Sequence, residues 1–426
     1  MWRPGWFPEY NPQDQKIFDQ VRGVVERVFQ QHNFEHIWTP AVENNEVLLK
    51  WWDSVANEIF GLVGLKDYES GDYERAKKSY SLHFDLTVPF ARYTLDHIGH
   101  LTFPFKRYQI QPVRRGERQQ RGRFKEFWQC DVDSIRRSGT QDASRAWAET
   151  ISVLQKAMNA VFAYYKIDHL LQSHVSHIGL TKAYLADKID TNKLDDVIKL
   201  LDTYHKLDSS VFEEQLTLLV EEELSQEIID IIETQNLTPL QEYQGYAELV
   251  TTLWYLEKLG ASVIFDFSIV RWLGYYTWPV FETFVVWEQS LGSVCSGGAY
   301  EDFTAFLDNK NIFSGVGGSI GISRMMEIVF ESIKHASHAR SESYLFVRFD
   351  DTLDETIKLY QQFLANGKTC EIYPSDDSFG KQLGYADKKS MKYAVILWAD
   401  ELAKWEYQIK DLETGKMVNY QLEIIN

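Results

Sequence analysis

The chain has 426 residues, 44% of them hydrophobic and 25% charged, with a formal net charge of −18. That length predicts two or three domains with a buried core. The acidic balance excludes a protein that coats nucleic acid nonspecifically, because neutralising phosphate needs clustered Lys and Arg. No uninterrupted apolar run of about 18 residues predicts a membrane span, and MWRPGWFPEYNPQDQK lacks the apolar core of a signal peptide. Three widely spaced cysteines, Cys130, Cys295 and Cys370, fit reduced thiols in a cytoplasmic protein, with burial as small hydrophobes the expected role.

In chain order, Ile17, Val21, Val24, Val25, Val28 and Phe29 recur at helical spacing and predict a helix over 12–32. A short strand follows at 34–37 and breaks at Thr39-Pro40. Residues 79–84 read as a strand, 86–97 as a helix, 105–115 and 123–134 as two strands around a polar loop, and 143–165 as a helix. Charge-rich helical patterns over 167–262, such as KLDDVIKLLDTYHKL, predict an inserted helical subdomain. Strand texture resumes at 262–270 and 277–287, a glycine-rich turn is expected at 293–300, and GVGGSIGISRMMEIVFESI predicts a strand running into a helix. Beyond the polar HASHARSES the tail alternates βαβαβ, which predicts a small α/β domain.

The chemistry concentrates between residues 107 and 133, which read RYQIQPVRRGERQQRGRFKEFWQCDVD. Guanidinium groups bind phosphate through paired, charge-assisted hydrogen bonds, so a glycine-bounded basic loop predicts an anion grip. Alternation puts Gln129, Asp131 and Asp133 on one strand face and Trp128, Cys130 and Val132 on the other. In the partner strand Arg115 shares a face with Gln109 and Gln111, which predicts that Arg115 approaches the Gln129 and Asp133 row. Asp85 and Thr87 are expected to share a strand face able to hold an ammonium group. Arg271 with Tyr275 and Tyr276 closes the apolar segment SVIFDFSIV, and Arg324 follows the glycines of GVGGSIGISR. No P-loop, HExxH or GxSxG motif occurs.

With these clusters in this order, the chain resembles histidyl-tRNA synthetases over nearly its whole length. FEHIWTPAVE is similar to motif 1 of class II synthetases, RRGERQQRGRFKEFWQCDVD to motif 2 and GVGGSIGISR to motif 3. IVRWLGYYTWPVFET and GSVCSGGAYEDF resemble the histidine-specific segments. The resemblance implies an α+β catalytic domain at 1–335, with an antiparallel sheet flanked by helices and a helical insertion at 167–262. It also implies a C-terminal α/β anticodon-binding domain at 343–426. The implied activity is ATP-dependent activation of L-histidine and its transfer to tRNA(His), with Mg²⁺, in a cytoplasmic homodimer whose interface holds Pro40. A catalytically impaired regulatory paralogue is the alternative. By resemblance, Arg115, Glu117, Arg123, Phe127 and Arg324 bind ATP. Asp85, Thr87, Gln129, Asp133, Arg271, Tyr275 and Tyr276 bind histidine, with Arg271, Arg115 and Gln129 nearest the reaction.

Some residues depart from the family pattern. Ala299 and His83 replace expected arginines. Trp51, Trp52, Trp272, Trp278, Trp398 and Trp405 raise the expectation that UGA codons meaning glycine have been read as tryptophan.

Overall fold

Six antiparallel strands, each end of the sheet extended by one parallel strand, carry Gln129 and Asp133 and lead into the segments that bear Arg115 and Arg324. The computed structural model describes residues 4–71, 80–118, 122–139, 143–270, 276, 279–288, 291–333 and 340–422, the side chains of 51 and 53–55 apart. They divide into two units, Met1–Ser332 and Ile333–Asn426.

The first unit opens with helix α1 (Pro12–Gln31). Asn11 caps it by accepting from the backbone N–H groups of Gln13 and Asp14, and Pro12 occupies the first turn, where a missing N–H costs nothing. Its face of Phe18, Val21, Val25 and Phe29 is buried. The sheet comprises β1 (Glu35–His36), β2 (Phe105–Arg114), β3 (Glu126–Arg137), β4 (Leu171–Ser176), β5 (Val263–Phe265), β6 (Val280–Val285), β7 (Cys295–Tyr300) and β8 (Phe313–Gly321), in the order β1-β2-β3-β8-β7-β6-β4-β5. Helix α2 (Thr87–Asp96) contributes Phe90 and Ala91 to a core shared with Phe105, Ile135, Tyr300 and Phe313. Helix α3 (Ser144–Tyr165) packs Trp147 against Ala299 and Val316. Ala299 therefore sits in an apolar contact that an arginine would disrupt.

Two expectations need correction. LQSHVS at 171–176 belongs to the main sheet as β4, so the helical insertion begins only with α4 (Ile178–Lys188). It continues through α5 (Thr191–Leu201), α6 (Ser209–Leu219), α7 (Glu222–Thr234) and α8 (Tyr246–Lys258). Within the glycine-rich 293–300 segment, Cys295–Tyr300 is strand β7 rather than a turn. A Cβ on Gly297 would collide with the backbone of Gly317 and Gly318, so glycine there permits β7 and β8 to pair closely. Helix α9 (Ile322–Ile333) completes this unit.

The second unit has β9 (Ser341–Phe346), α10 (Leu353–Ala365), β10 (Thr369–Ile372), α11 (Phe379–Lys388) and β11 (Met391–Ile396). Helix α12 (Ala399–Leu402) leads to a hairpin, β12 (Glu406–Asp411) and β13 (Met417–Gln421), absent from the sequence expectation. Strand order is β10-β9-β11-β12-β13.

Candidate active site

Strands β2 and β3 pair so that Arg107 faces Asp133, Gln109 faces Asp131 and Gln111 faces Gln129. The alternation read from sequence places these six side chains on one polar face, while Cys130 and Val132 are fully buried behind it. Arg107 has no exposed surface and lies 2.7 Å from the Asp133 carboxylate and 3.8 Å from that of Asp131. Gln109 donates to Thr39 Oγ1 at 2.7 Å and Gln111 to the Thr39 carbonyl at 2.8 Å. Tyr300 donates its hydroxyl to Asp133 at 2.5 Å. Burial pushes the Asp131 carboxyl up to about 7 despite the nearby Arg107, and raises Asp133 and the Tyr300 phenol as well.

The cation on this row is thus Arg107, not Arg115. The signal was present in the sequence, because Arg107 continues the alternation of Gln109 and Gln111 by one step. Arg115 lies just beyond the end of β2. Its Nε donates to the Phe84 carbonyl at 3.0 Å, and its guanidinium lies 4.5 Å from the Phe84 ring and 5.2 Å from that of Phe127. Asp85 and Thr87 do not share a strand face: Asp85 precedes α2 and Thr87 is its first residue. The Asp85 carboxylate is held by the Val88 N–H at 3.4 Å, with Thr87 and the Trp52 indole as further partners, and burial raises its pKa. Tyr300 escaped the sequence reading as a site residue, and Trp52 was read only as a suspected glycine, since aromatic residues in apolar patterns give no polar signal.

Beside this row opens a cavity of about 660 Å³ lined by Arg115, Glu117, Arg118, Arg123, Phe127, Gln129, Glu282 and Arg324, among others. Glu117 bridges Arg115 at 3.6 Å and Arg123 at 3.5 Å. Arg324, in the first turn of α9, donates to the Ser293 carbonyl. Burial lowers its pKa and the Arg123 charge lowers it further, so an added anion would relieve the site. Gly122 has φ +72°, and a Cβ there would press on Leu291 and Arg324, so glycine lets the loop close over the arginine. Asp85, Thr87, Asp133 and Tyr276 are not on the wall of this cavity. Tyr276 lies against Gly298 and electrostatically couples to Tyr300, the partner of Asp133. Arg271 and Tyr275 lie outside the described residues.

The geometry therefore offers an arginine-rich cavity for an anion and, beside it, an acidic floor closed by tyrosines. Comparison with known proteins gives the family. The family model "Histidyl-tRNA synthetase" matches residues 6–325, and the model "Anticodon binding domain" matches 342–425. A histidine–tRNA ligase of Clostridium acetobutylicum is 32% identical, covering 99% of this chain and 98% of its own. One from Nostoc sp. is 30% identical, covering 98% and 95%. The crystal structure of a histidyl-tRNA synthetase from Nostoc sp. superposes with a TM-score of 0.82 at 27% identity, over 98% of this chain and 96% of that one. A Bacillus halodurans structure described as an ATP phosphoribosyltransferase regulatory subunit/histidyl-tRNA synthetase shares the fold, with a TM-score of 0.71 at 19% identity over 90% and 96%. The chain belongs to the histidyl-tRNA synthetase family.

Proposed function

We infer that this chain is a histidine–tRNA ligase, which uses ATP to activate L-histidine and then charges tRNA(His). The observation that carries this reading at the site is the adjacency of two unlike subsites. Four arginines ring the cavity, and Asp131, Asp133 and Tyr300 are buried next to it. ATP is read into the cavity, with Arg115 and Arg324 on its phosphates and Glu117, Arg123 and Phe127 around the nucleotide. Histidine is read with its ring toward Asp133 and Tyr276, and its ammonium toward Gln129, Asp85 and Thr87.

In this arrangement the histidine carboxylate attacks the α-phosphorus, pyrophosphate leaves, and the adenylate passes the acyl group to the terminal ribose of tRNA. Fixed guanidinium charge is worth most as negative charge shifts to the leaving phosphates in a water-poor cavity. Arg271 is the residue proposed beside the attacking carboxylate. Glu117 and Glu282 offer oxygen donors of the kind Mg²⁺ takes, and the ion entering with ATP would neutralise phosphate charge. Rejection of other amino acids follows from the cost of leaving the Asp133–Tyr300 network without an imidazole partner.

A homodimer is supported by the exposed Trp38 and Val42 beside the edge strand β1, near Pro40. Among the described residues no helix is long and apolar enough to cross a membrane, and a cytoplasmic site of action fits tRNA as substrate. The test is histidine-dependent exchange of labelled pyrophosphate into ATP. Arg324→Ala should lower exchange by roughly 100-fold or more. No exchange with the unmutated chain would refute the assignment.

A further inference from the structure

Left-handed backbone is where glycine is favoured, because a Cβ meets the neighbouring carbonyl. Among the described residues, eight that are not glycine have clearly positive φ: Trp6, Asn33, Lys166, Gln235, Trp287, Asp302, Ser390 and Trp405. Three of the eight are tryptophan, although the whole chain has 13 tryptophans in 426 residues. Tryptophan is bulky and gains nothing locally from this conformation, unlike Asn or Asp, whose short polar side chains bond nearby backbone.

Local geometry is glycine-like at each position. Trp287 has φ +80° in a turn closed by the Glu288 N–H donating to the Val285 carbonyl at 3.1 Å. That is the third position of a type II turn, where glycine is required. Trp405 has φ +58° and follows α12, with its N–H on the Leu402 carbonyl at 3.0 Å. Helix exits of this kind favour glycine. Trp6, at φ +68°, lies in a turn whose carbonyl accepts from the Lys125 N–H. The three side chains are 49%, 88% and 55% exposed at Trp6, Trp287 and Trp405, so burial does not repay the backbone cost.

We propose that Trp6, Trp287 and Trp405 are glycine in the protein as its own cell makes it, encoded by UGA codons read there as glycine. The same criterion sorts the other suspected positions. Trp52 is buried with its ring 5.1 Å from Phe84, and Trp398 stacks on Phe349 at 4.4 Å with ordinary φ of −78°. Both fill packed sites and lack the left-handed backbone that marks the other three. Trp272 and Trp278, with the side chain of Trp51, lie outside the described residues.

Codon sequencing decides the first step: UGA is expected at 6, 287 and 405, and UGG at any of them overturns the proposal for that position. Peptide mass spectrometry on protein from the source organism should show glycine there, and tryptophan would overturn it even with UGA codons. In purified full-length chain, Trp287→Gly and Trp405→Gly should each raise the thermal midpoint. Trp52→Gly and Trp398→Gly should lower it. A fall in midpoint for Trp287→Gly and Trp405→Gly would contradict the backbone argument.

A second inference rests on other residues. His174 on β4, His205 after α5 and Asp266 after β5 bring Nδ1, Nε2 and a carboxylate oxygen within 4.8 Å of one another. Both nitrogens lie 2.7 Å from Asp266 Oδ2, while Oδ1 is fixed by the Ser268 N–H at 2.9 Å and hydroxyl at 2.6 Å. The two imidazoles and Ser268 line the arginine-rich cavity, leaving one side of the cluster open to it. The geometry points to a three-ligand site for Zn²⁺, with the fourth position facing the cavity and Ser268 fixing the other carboxylate oxygen. Metal would join the insertion, through His205, to the main sheet. Co²⁺ should bind the full chain one-to-one with tetrahedral visible absorption, displaced by Zn²⁺ and lost in His205→Ala and Asp266→Asn. Unchanged binding in those variants, or no uptake at micromolar Co²⁺, would overturn the site.

Discussion

Arg107 is the residue on which the site's electrostatics turn. It has no exposed surface and neutralises two carboxylates that burial has already pushed toward protonation. Removing one partner of such a cluster leaves charge without compensation, so Arg107→Met should destabilise the first unit by about 3–5 kcal/mol in denaturant unfolding. A loss within experimental error would show that Asp131 and Asp133 are neutral in the folded chain. His83, where an arginine was expected, is fully buried with Nε2 2.8 Å from the Pro112 carbonyl. Burial lowers its pKa from 6.5 to about 4. The unfolded chain therefore binds the proton more readily, and this contribution to stability is complete above pH 6.5 and lost as pH falls toward 4. His83→Gln, which keeps a donor for Pro112, should flatten that acid limb in thermal melts, and an unaltered slope would count against it. An arginine at 83 would bring a permanent charge into the same buried volume.

At the scale of elements, the site depends on how closely β7 and β8 approach their neighbours. A Cβ on Gly318 would lie 2.6 Å from the Phe281 ring and 2.7 Å from Leu154, pressing β8 into α3. Gly318→Ala should therefore cost about 1–3 kcal/mol as an overpacked core, read as a lower denaturation midpoint, whereas Gly380→Ala, with open space around its Cβ, should not. Most long periodic elements were legible in the sequence: α1 and α3 lie within a residue or two of the expected spans, and β8 runs into α9 as expected. Strand β4 was missed because it is short and flanked by helical texture, and propensity yields there to pairing with β6. Strand β7 read as a turn because glycine usually signals one, yet here it serves close strand approach.

At the scale of the molecule, each unit has its own core, with Leu345, Phe346, Val395 and Leu359 buried in the second. A fragment of residues 1–332 should keep histidine-dependent pyrophosphate exchange while losing more than about tenfold in kcat/KM for charging tRNA(His). Such a loss corresponds to removing 1.4 kcal/mol or more of tRNA binding. Equal charging by fragment and full chain would place the tRNA-discriminating contacts in the first unit.

Sequence alone determined the family motifs, the basic stretch between 107 and 133, and the face on which Gln129, Asp131 and Asp133 lie, because strand alternation is a local property. Tertiary structure decided which cation meets that face. Arg107 and Arg115 are both basic and nearby in sequence, but pairing register sets Arg107 opposite Asp133, while the end of β2 releases Arg115 toward Phe84 and the cavity. Register depends on contacts between distant segments, and so does the distinction between a tryptophan that fills a core and one that sits on glycine's backbone.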